Sequence, residues 1–159
     1  MYDKYNQRGA SLIELIMFIV IIGIALSGIL LVMNNVSGHS ADALVRKQAI
    51  AIAESLLEEI QLQNFAKPAG GFSGAATSAN RASFDTVIDY IGYTTTAGIV
   101  TVNNNAIAGL NGYNITAVTV AATAMGGAFV PAADAYLITV TVTDPQGNLN
   151  TVVGYRTRY

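Results

Sequence analysis

From Leu15 to Met33 the chain runs nineteen residues without a charged side chain. About twenty apolar residues are what a helix needs to cross a hydrocarbon core of ~30 Å, so this run is long enough to span a bilayer. It exceeds the apolar core of about 7–15 residues in an ordinary secretory signal, and no small-residue cleavage site follows it at Asn34–His39. Any cut is therefore expected in front. The nine residues there, MYDKYNQRG, carry Lys4 and Arg8 against Asp3, and a net positive flank stays on the cytoplasmic side during insertion. The amino end is expected inside and the carboxyl end outside.

Glu14 does not fit a plain anchor. A carboxylate at the bilayer centre costs about 2.5–3.5 kcal/mol on insertion scales and is normally partnered, so Glu14, at the edge of the apolar run, needs a cation. A local role is also open. Ser11-x-x-Glu14 has the spacing of a capping box, and an acid in the first helical turn complements the helix dipole. Capping is compatible with an intermolecular pairing, and by itself explains neither the basic nonamer nor Gly9.

The residues Gly9-Ala10-Ser11-Leu12-Ile13-Glu14-Leu15, behind a short basic leader, resemble the class III signal of type IV pilins and type II secretion pseudopilins. The resemblance implies that a membrane prepilin peptidase cuts after Gly9 on the cytoplasmic face and methylates the new amino group of Ala10. It also implies that Glu14 pairs with the amino terminus of a neighbouring subunit in the assembled filament, which supplies the missing cation. Two positions depart from the commonest pattern of that family. Ala10 replaces the usual Phe, and Leu31 stands where many major pilins have proline. Proline is the usual cause of a sharp helix kink, so an unbroken helix is expected here.

Composition limits the remaining possibilities. Removing residues 1–9 leaves six basic and nine acidic residues, a mildly acidic product, whereas nucleic-acid binders are normally basic and patch-forming. No nucleic-acid partner is expected. Without cysteine there is neither a disulfide framework nor a thiolate metal site. Compartment does not follow from that, because an oxidising periplasm permits disulfides without requiring them.

Asn34–Ser40 (NNVSGHS) is rich in turn-prone residues and marks the expected membrane exit, loosened rather than broken. From Ala41 to Gln63 the apolar residues Val45, Ala49, Ile52, Leu56 and Ile60 recur at spacings of three and four, the signature of one helical face. A helix continuous from Ala10 to Gln63 would be about 80 Å long at 1.5 Å per residue. Glu54, Glu58 and Glu59 are read as a solvated face, because no His, Cys or second acidic cluster is spaced to complete a coordination shell. In a filament these acids could meet Arg46 or Lys47 of an adjacent subunit.

Lys67-Pro68 is expected to end the helix, and Ala69–Asn80 reads as an irregular small-residue loop. Arg81–Tyr93 has aromatic anchors around a short helical turn, with Asp85 and Asp89 read as a cap or as partners of Arg81. Strands are expected at Gly98–Val102, Tyr113–Ala121, Ala135–Thr143 and Leu149–Thr157, with turns at Asn103–Asn105 and Asp144–Asn148. Three or four antiparallel strands with one buried face would pack on the amphipathic helix.

The expected fold is α+β and pilin-like: a long N-terminal helix, first hydrophobic and then amphipathic, packed on a C-terminal antiparallel sheet. Its parts are a cleaved leader (1–9), a transmembrane or filament-core helix (10–33), an amphipathic helix (34–63) and a β-rich head (64–159).

A second resemblance lies in Ala49–Ile60, which resembles the minor pilins grouped with the I-type pseudopilin. The run Phe84-Asp85-x-Val87-x-Asp89-Tyr90-x-Gly92-Tyr93 and the ending Tyr155-Arg156-Thr157-x-Tyr159 are similar to the D-type minor pilins of mannose-sensitive haemagglutinin pili. This implies a low-abundance subunit that initiates or caps a filament. The localisation implied is the bacterial inner membrane, single-pass with a periplasmic head, and then a pilus or pseudopilus. The implied partners are other pilins, through the N-terminal helix, and the prepilin peptidase.

Two rival readings remain open at this level. One is a type II secretion pseudopilin. The other is a membrane-anchored adhesin or lectin head, binding through loops 69–80 or 122–133 with Tyr113, Tyr136 and Tyr155 available to stack on sugars. An enzyme is not expected. The sole histidine, His39, sits at the membrane exit, and no nucleophile–base pair, phosphate loop or metal-ligand spacing is present. No cofactor and no metal is expected, and the Asp144 turn is explained by hairpin geometry.

Overall fold

The computed structural model describes residues 11–127 and 129–158, the side chains at 35 and 37–41 excepted. Its contacts divide the chain into two units, the residues up to Asp42 and the residues from Ala43 to Tyr159. One helix, α1 (Leu12–Leu62), contributes to both. Helical structure passes through 34–40 without interruption, so the turn-prone residues there do not break it. The expected stop at Lys67-Pro68 comes early, with the last helical residue at Leu62.

In the first unit the large apolar side chains from Leu12 to Met33 are exposed, and the segment Leu12–Asn34 is long and apolar enough to cross a membrane. Water does not tolerate an apolar surface of that size on a monomer. Ser27 is one polar residue within the segment, and its Oγ donates to the Ile24 carbonyl at 2.8 Å. Such back-bonding satisfies a hydroxyl without solvent.

The second unit is built on the rest of α1. Ala49, Ala53, Leu56, Leu57 and Ile60 are buried and Val45 and Ile52 half-buried. This is the face given by the three-and-four spacing, widened by Ala53 and Leu57. Against it lies an antiparallel sheet of β1 (Asn114–Ala122), β2 (Ala135–Thr143) and β3 (Leu149–Thr157), in the order β1-β2-β3. On β2, Ile138, Val140 and Val142 point inward in strict alternation. On β1 the buried residues are Ile115 and Val118, three apart, because the register with β2 shifts between Ile115 and Ala117. An extra residue at such a bulge reverses which side chains face inward. Gly154, in the middle of β3, lies against the helix so closely that a Cβ would sit 2.8 Å from Leu57 Cδ2.

The expected strand at Gly98–Val102 does not form. The chain turns back at Asn103–Asn105, where Asn104 has φ 61°, and pairs only with itself, through a single bridge between Val100 and Ala106. The place it would have taken beside β1 is occupied by 92–95. Gly92 N–H donates to the Val118 carbonyl (3.0 Å), Thr95 N–H to the Ile115 carbonyl (2.9 Å), and Ile115 N–H to Thr95 Oγ1 (3.0 Å). Covering a strand edge in this way protects it from pairing with another chain.

Between helix and sheet, two single-turn 3-10 helices, Arg81–Ser83 and Val87–Tyr90, set Phe84, Tyr90 and Tyr93 into the core. Their rings meet edge to face, at 4.8 Å for Phe84–Tyr90 and 6.2 Å for Phe84–Tyr93, the arrangement aromatic quadrupoles prefer. The chain is thus α+β and pilin-like, with a long apolar-then-amphipathic helix and a three-stranded antiparallel sheet packed on its second part.

Candidate functional site

The residues expected to carry processing, Lys4, Arg8, Gly9 and Ala10, lie outside the described residues. Glu14 lies in the first turn of α1 and is exposed. Ser11 directly precedes the helix, and its carbonyl accepts from Leu15 N–H at 3.2 Å. Ser11 and Glu14 therefore stand at the N-cap and third helical positions, where a capping box has its two side chains. Among the described residues Glu14 makes no ion pair. An acid in this position, ahead of an exposed apolar helix surface, is open to a cation from outside the described chain.

In the head, polar groups gather where α1 meets the 81–93 segment. Arg81 Nε donates to Glu59 Oε1 at 2.9 Å and its Nη2 to Oε2, a two-point pairing. Its Nη1 donates to the Val100 carbonyl (3.0 Å) and reaches Tyr93 Oη (3.5 Å), and Tyr90 Oη donates to Glu59 Oε1 at 2.8 Å. Burial alone would raise the Glu59 carboxyl, but the hydrogen bonds from Arg81 and Tyr90 and the charge of Arg81 outweigh it and hold the group below its usual range. Burial and the neighbouring Glu59 carboxylate push the Tyr90 phenol well above its usual value.

This network corrects two expectations. Glu59 is not part of a solvated face with Glu54 and Glu58, which are exposed; it is three-quarters enclosed and paired. Arg81 pairs with Glu59 and not with Asp85 or Asp89. Asp89 caps the second 3-10 helix, accepting from Thr86 N–H (2.9 Å) and Thr86 Oγ1 (2.7 Å), and lies 3.7 Å from Lys67 Nζ. Asp85 Oδ2 accepts from Phe72 N–H at 2.9 Å and ties down the small-residue loop. One signal of the buried pair was present in the sequence: Arg81 is the only basic residue between Lys67 and Arg156, and a lone cation in so apolar a stretch is commonly committed to a partner.

Asp144 makes the hairpin between β2 and β3. Its Oδ1 accepts from Gln146 N–H and Asn148 N–H, each at 2.9 Å. These bonds occupy the carboxylate and match the reading of Asp-Pro-x-Gly-Asn as turn chemistry. Of the three tyrosines suited to sugar stacking, Tyr113 is buried with its hydroxyl donating to Gln48 Oε1 (3.2 Å), and Tyr136 stacks on Phe65 at 4.5 Å. Tyr155 is the one exposed. They do not form a shared platform.

Residues 4–30 match the family described as the prokaryotic N-terminal methylation motif. No curated protein and no solved structure matches the chain. The matched segment holds the leader charges Lys4 and Arg8, Gly9, Ala10, Glu14 and most of the apolar run. The motif implies prepilin peptidase processing and pilin-type assembly. Residues 4–30 thus carry the prokaryotic N-terminal methylation motif, and the architecture behind it is α+β and pilin-like.

Proposed function

We propose that a prepilin peptidase cuts this chain after Gly9 and methylates Ala10, and that the mature subunit leaves the inner membrane by laying its apolar helix against those of other pilins. The observation that carries this reading is the methylation motif over residues 4–30, which brings the basic leader, Gly9 and Glu14 into one segment. Glu14 then neutralises the new amino terminus of a neighbouring subunit. Its exposure in the first turn of α1, with no ion pair among the described residues, is consistent with that role. The pairing acts after cleavage, so the two events separate experimentally. Glu14→Ala should be processed at the normal rate and enter filaments about tenfold less well or worse, the loss expected when one partner of a desolvated charge pair is removed. Normal incorporation of that variant would remove Glu14 from assembly.

Within this class the chain is read as a D-type minor pilin that initiates or tips the filament. Support comes from the run Phe84–Tyr93 and the ending Tyr155-Arg156-Thr157. Quantitative mass spectrometry of purified filaments should find it at a small fraction of the major subunit. Equal abundance would make it a shaft subunit, and recovery only with secretion-system subunits would make it a pseudopilin.

A further inference from the structure

The two edges of the sheet are treated differently. The β1 edge has a register shift between Ile115 and Ala117 and is covered by 92–95. The β3 edge has neither protection. Its nine residues pair with β2 in unbroken register, contain no proline and include one charged side chain, Arg156. Short strands, bulges, prolines, charges and covering loops are what keep an edge from pairing with another chain, and Leu149–Val153 has none of them.

The register fixes which backbone groups face outward. Residues of an antiparallel pair alternate between exchanging two bonds and exchanging none. Asp144 N–H donates to the Asn148 carbonyl and Arg158 N–H to the Asp134 carbonyl, so the even-numbered residues of β3 bond to β2 and the odd-numbered ones turn their N–H and C=O away from it. Two of the outward carbonyls are met from within the chain, that of Tyr155 by Gln61 Nε2 and that of Thr157 by Arg156 Nη1, each at 3.1 Å. The outward groups of Leu149, Thr151 and Val153 meet no partner among the described residues. Each of these three positions therefore offers one donor and one acceptor, two residues apart along an open edge.

That row is complementary to extended backbone, the basis of recognition by strand addition. The flanks of the edge narrow the occupant. On the outer face of the sheet Leu149, Thr151 and Val153 stand opposite Thr143, Thr141 and Thr139, with no charge among them. On the other face runs α1. Gln61 reaches the edge from it, and Glu54, two turns earlier on the same helical stripe, is exposed and makes no ion pair among the described residues. We propose that Leu149–Val153 accepts an antiparallel strand from a different protein, one with β-branched or hydroxyl side chains on the outer face and a lysine or arginine toward Glu54. Self-pairing of this edge would close a two-fold dimer, which a low-abundance initiating subunit does not supply, and to that extent the proposal rests on the subunit reading.

The test uses full-length chains in the membrane, with Leu149, Thr151 or Val153 replaced in turn by photoreactive benzoylphenylalanine and the adducts mapped by mass spectrometry. All three adducts should fall in one segment of one other protein. Each two-residue step of the probe should move the adduct two residues the opposite way, the signature of antiparallel pairing. Thr151→Pro removes an outward N–H without touching the bonds to β2, and should lower the yield from the Val153 probe about tenfold, while Thr151→Val should keep it. Glu54→Lys, on the helix surface, should lower it several-fold. Adducts on the same edge of a second copy, adducts scattered over several proteins, or no adduct would overturn the proposal, as would an unchanged yield in Thr151→Pro or Glu54→Lys. The mass of the amino terminus is read in the same samples. A processed chain without the two-residue ladder sinks the strand contact alone, whereas an unprocessed one sinks the subunit reading.

Discussion

At the scale of single residues, the head depends on one ion pair that crosses from helix to loop. Arg81 is nearly enclosed while Glu59 keeps about a quarter of its side chain in water, so the carboxylate can rehydrate if its partner is lost. Arg81→Ala should therefore cost about 2–3 kcal/mol, the range for hydrogen bonds to charged groups, and not the larger penalty of a fully buried pair. Replacing both Arg81 and Glu59 by Met should cost less than Arg81→Ala alone, because no charge is then stranded. Denaturant melts of the full chain in detergent check both. The same network sets a pH window. Glu59 binds its proton less readily folded than unfolded, so its contribution is complete above the unfolded carboxyl value of about 4 and is lost as pH falls through the lower folded value. Tyr90 shifts the opposite way. Its contribution is complete below the unfolded phenol value of about 10 and is lost as pH rises through the higher folded one. Tm should be flat between about pH 5 and pH 9 and fall on both sides, and Glu59→Gln should make the acid limb shallower without removing it, because Asp89 and Asp144 are also held below the usual carboxyl range, their burial outweighed by their hydrogen bonds.

At the scale of elements, alternation of apolar and polar residues made β2 and β3 readable to the residue, since each strand has one face on the core and one in solvent. The same pattern misled at Gly98–Val102. A β-prone composition does not provide a strand with a neighbour, and the free edge of β1 is taken by 92–95. What fixes the 98–110 loop is backbone proximity. Gly98 has φ of 98°, and a Cβ there would lie 2.6 Å from the Asn111 Cα. That contact is with main chain, so no rotamer change relieves it. Gly98→Ala should destabilise the head by about 2 kcal/mol or more, read as a lowered Tm, whereas Gly109→Ala, with φ of 83° but open space around it, should cost less. Comparable losses from the two substitutions would show that backbone conformation and not close approach governs the loop. The Glu59–Arg81 pair was not legible because its partners are 22 residues apart on different elements, and periodicity reports which face a residue occupies but not which long-range partner meets it.

At the scale of the whole molecule, the methylation motif and the long helix were the most legible parts because their chemistry is local. A basic nonamer, a glycine, an acid in the first turn and an unbroken apolar run each have a meaning set by a bilayer and a peptidase, without any need for tertiary contacts. The amphipathic continuation from Ala43 gives the head its core, and the exposed segment from Leu12 to Met33 requires either lipid or neighbouring helices. On the proposed reading the chain is first a membrane protein and then a filament protein, with a new amino terminus governing the transition. The most direct test is the mass and amino-terminal sequence of the protein recovered from filaments. The account predicts a polypeptide beginning at methylated Ala10, nine residues shorter than the translated chain; filaments that contain the chain with Met1 or Tyr2 still at its terminus would contradict it.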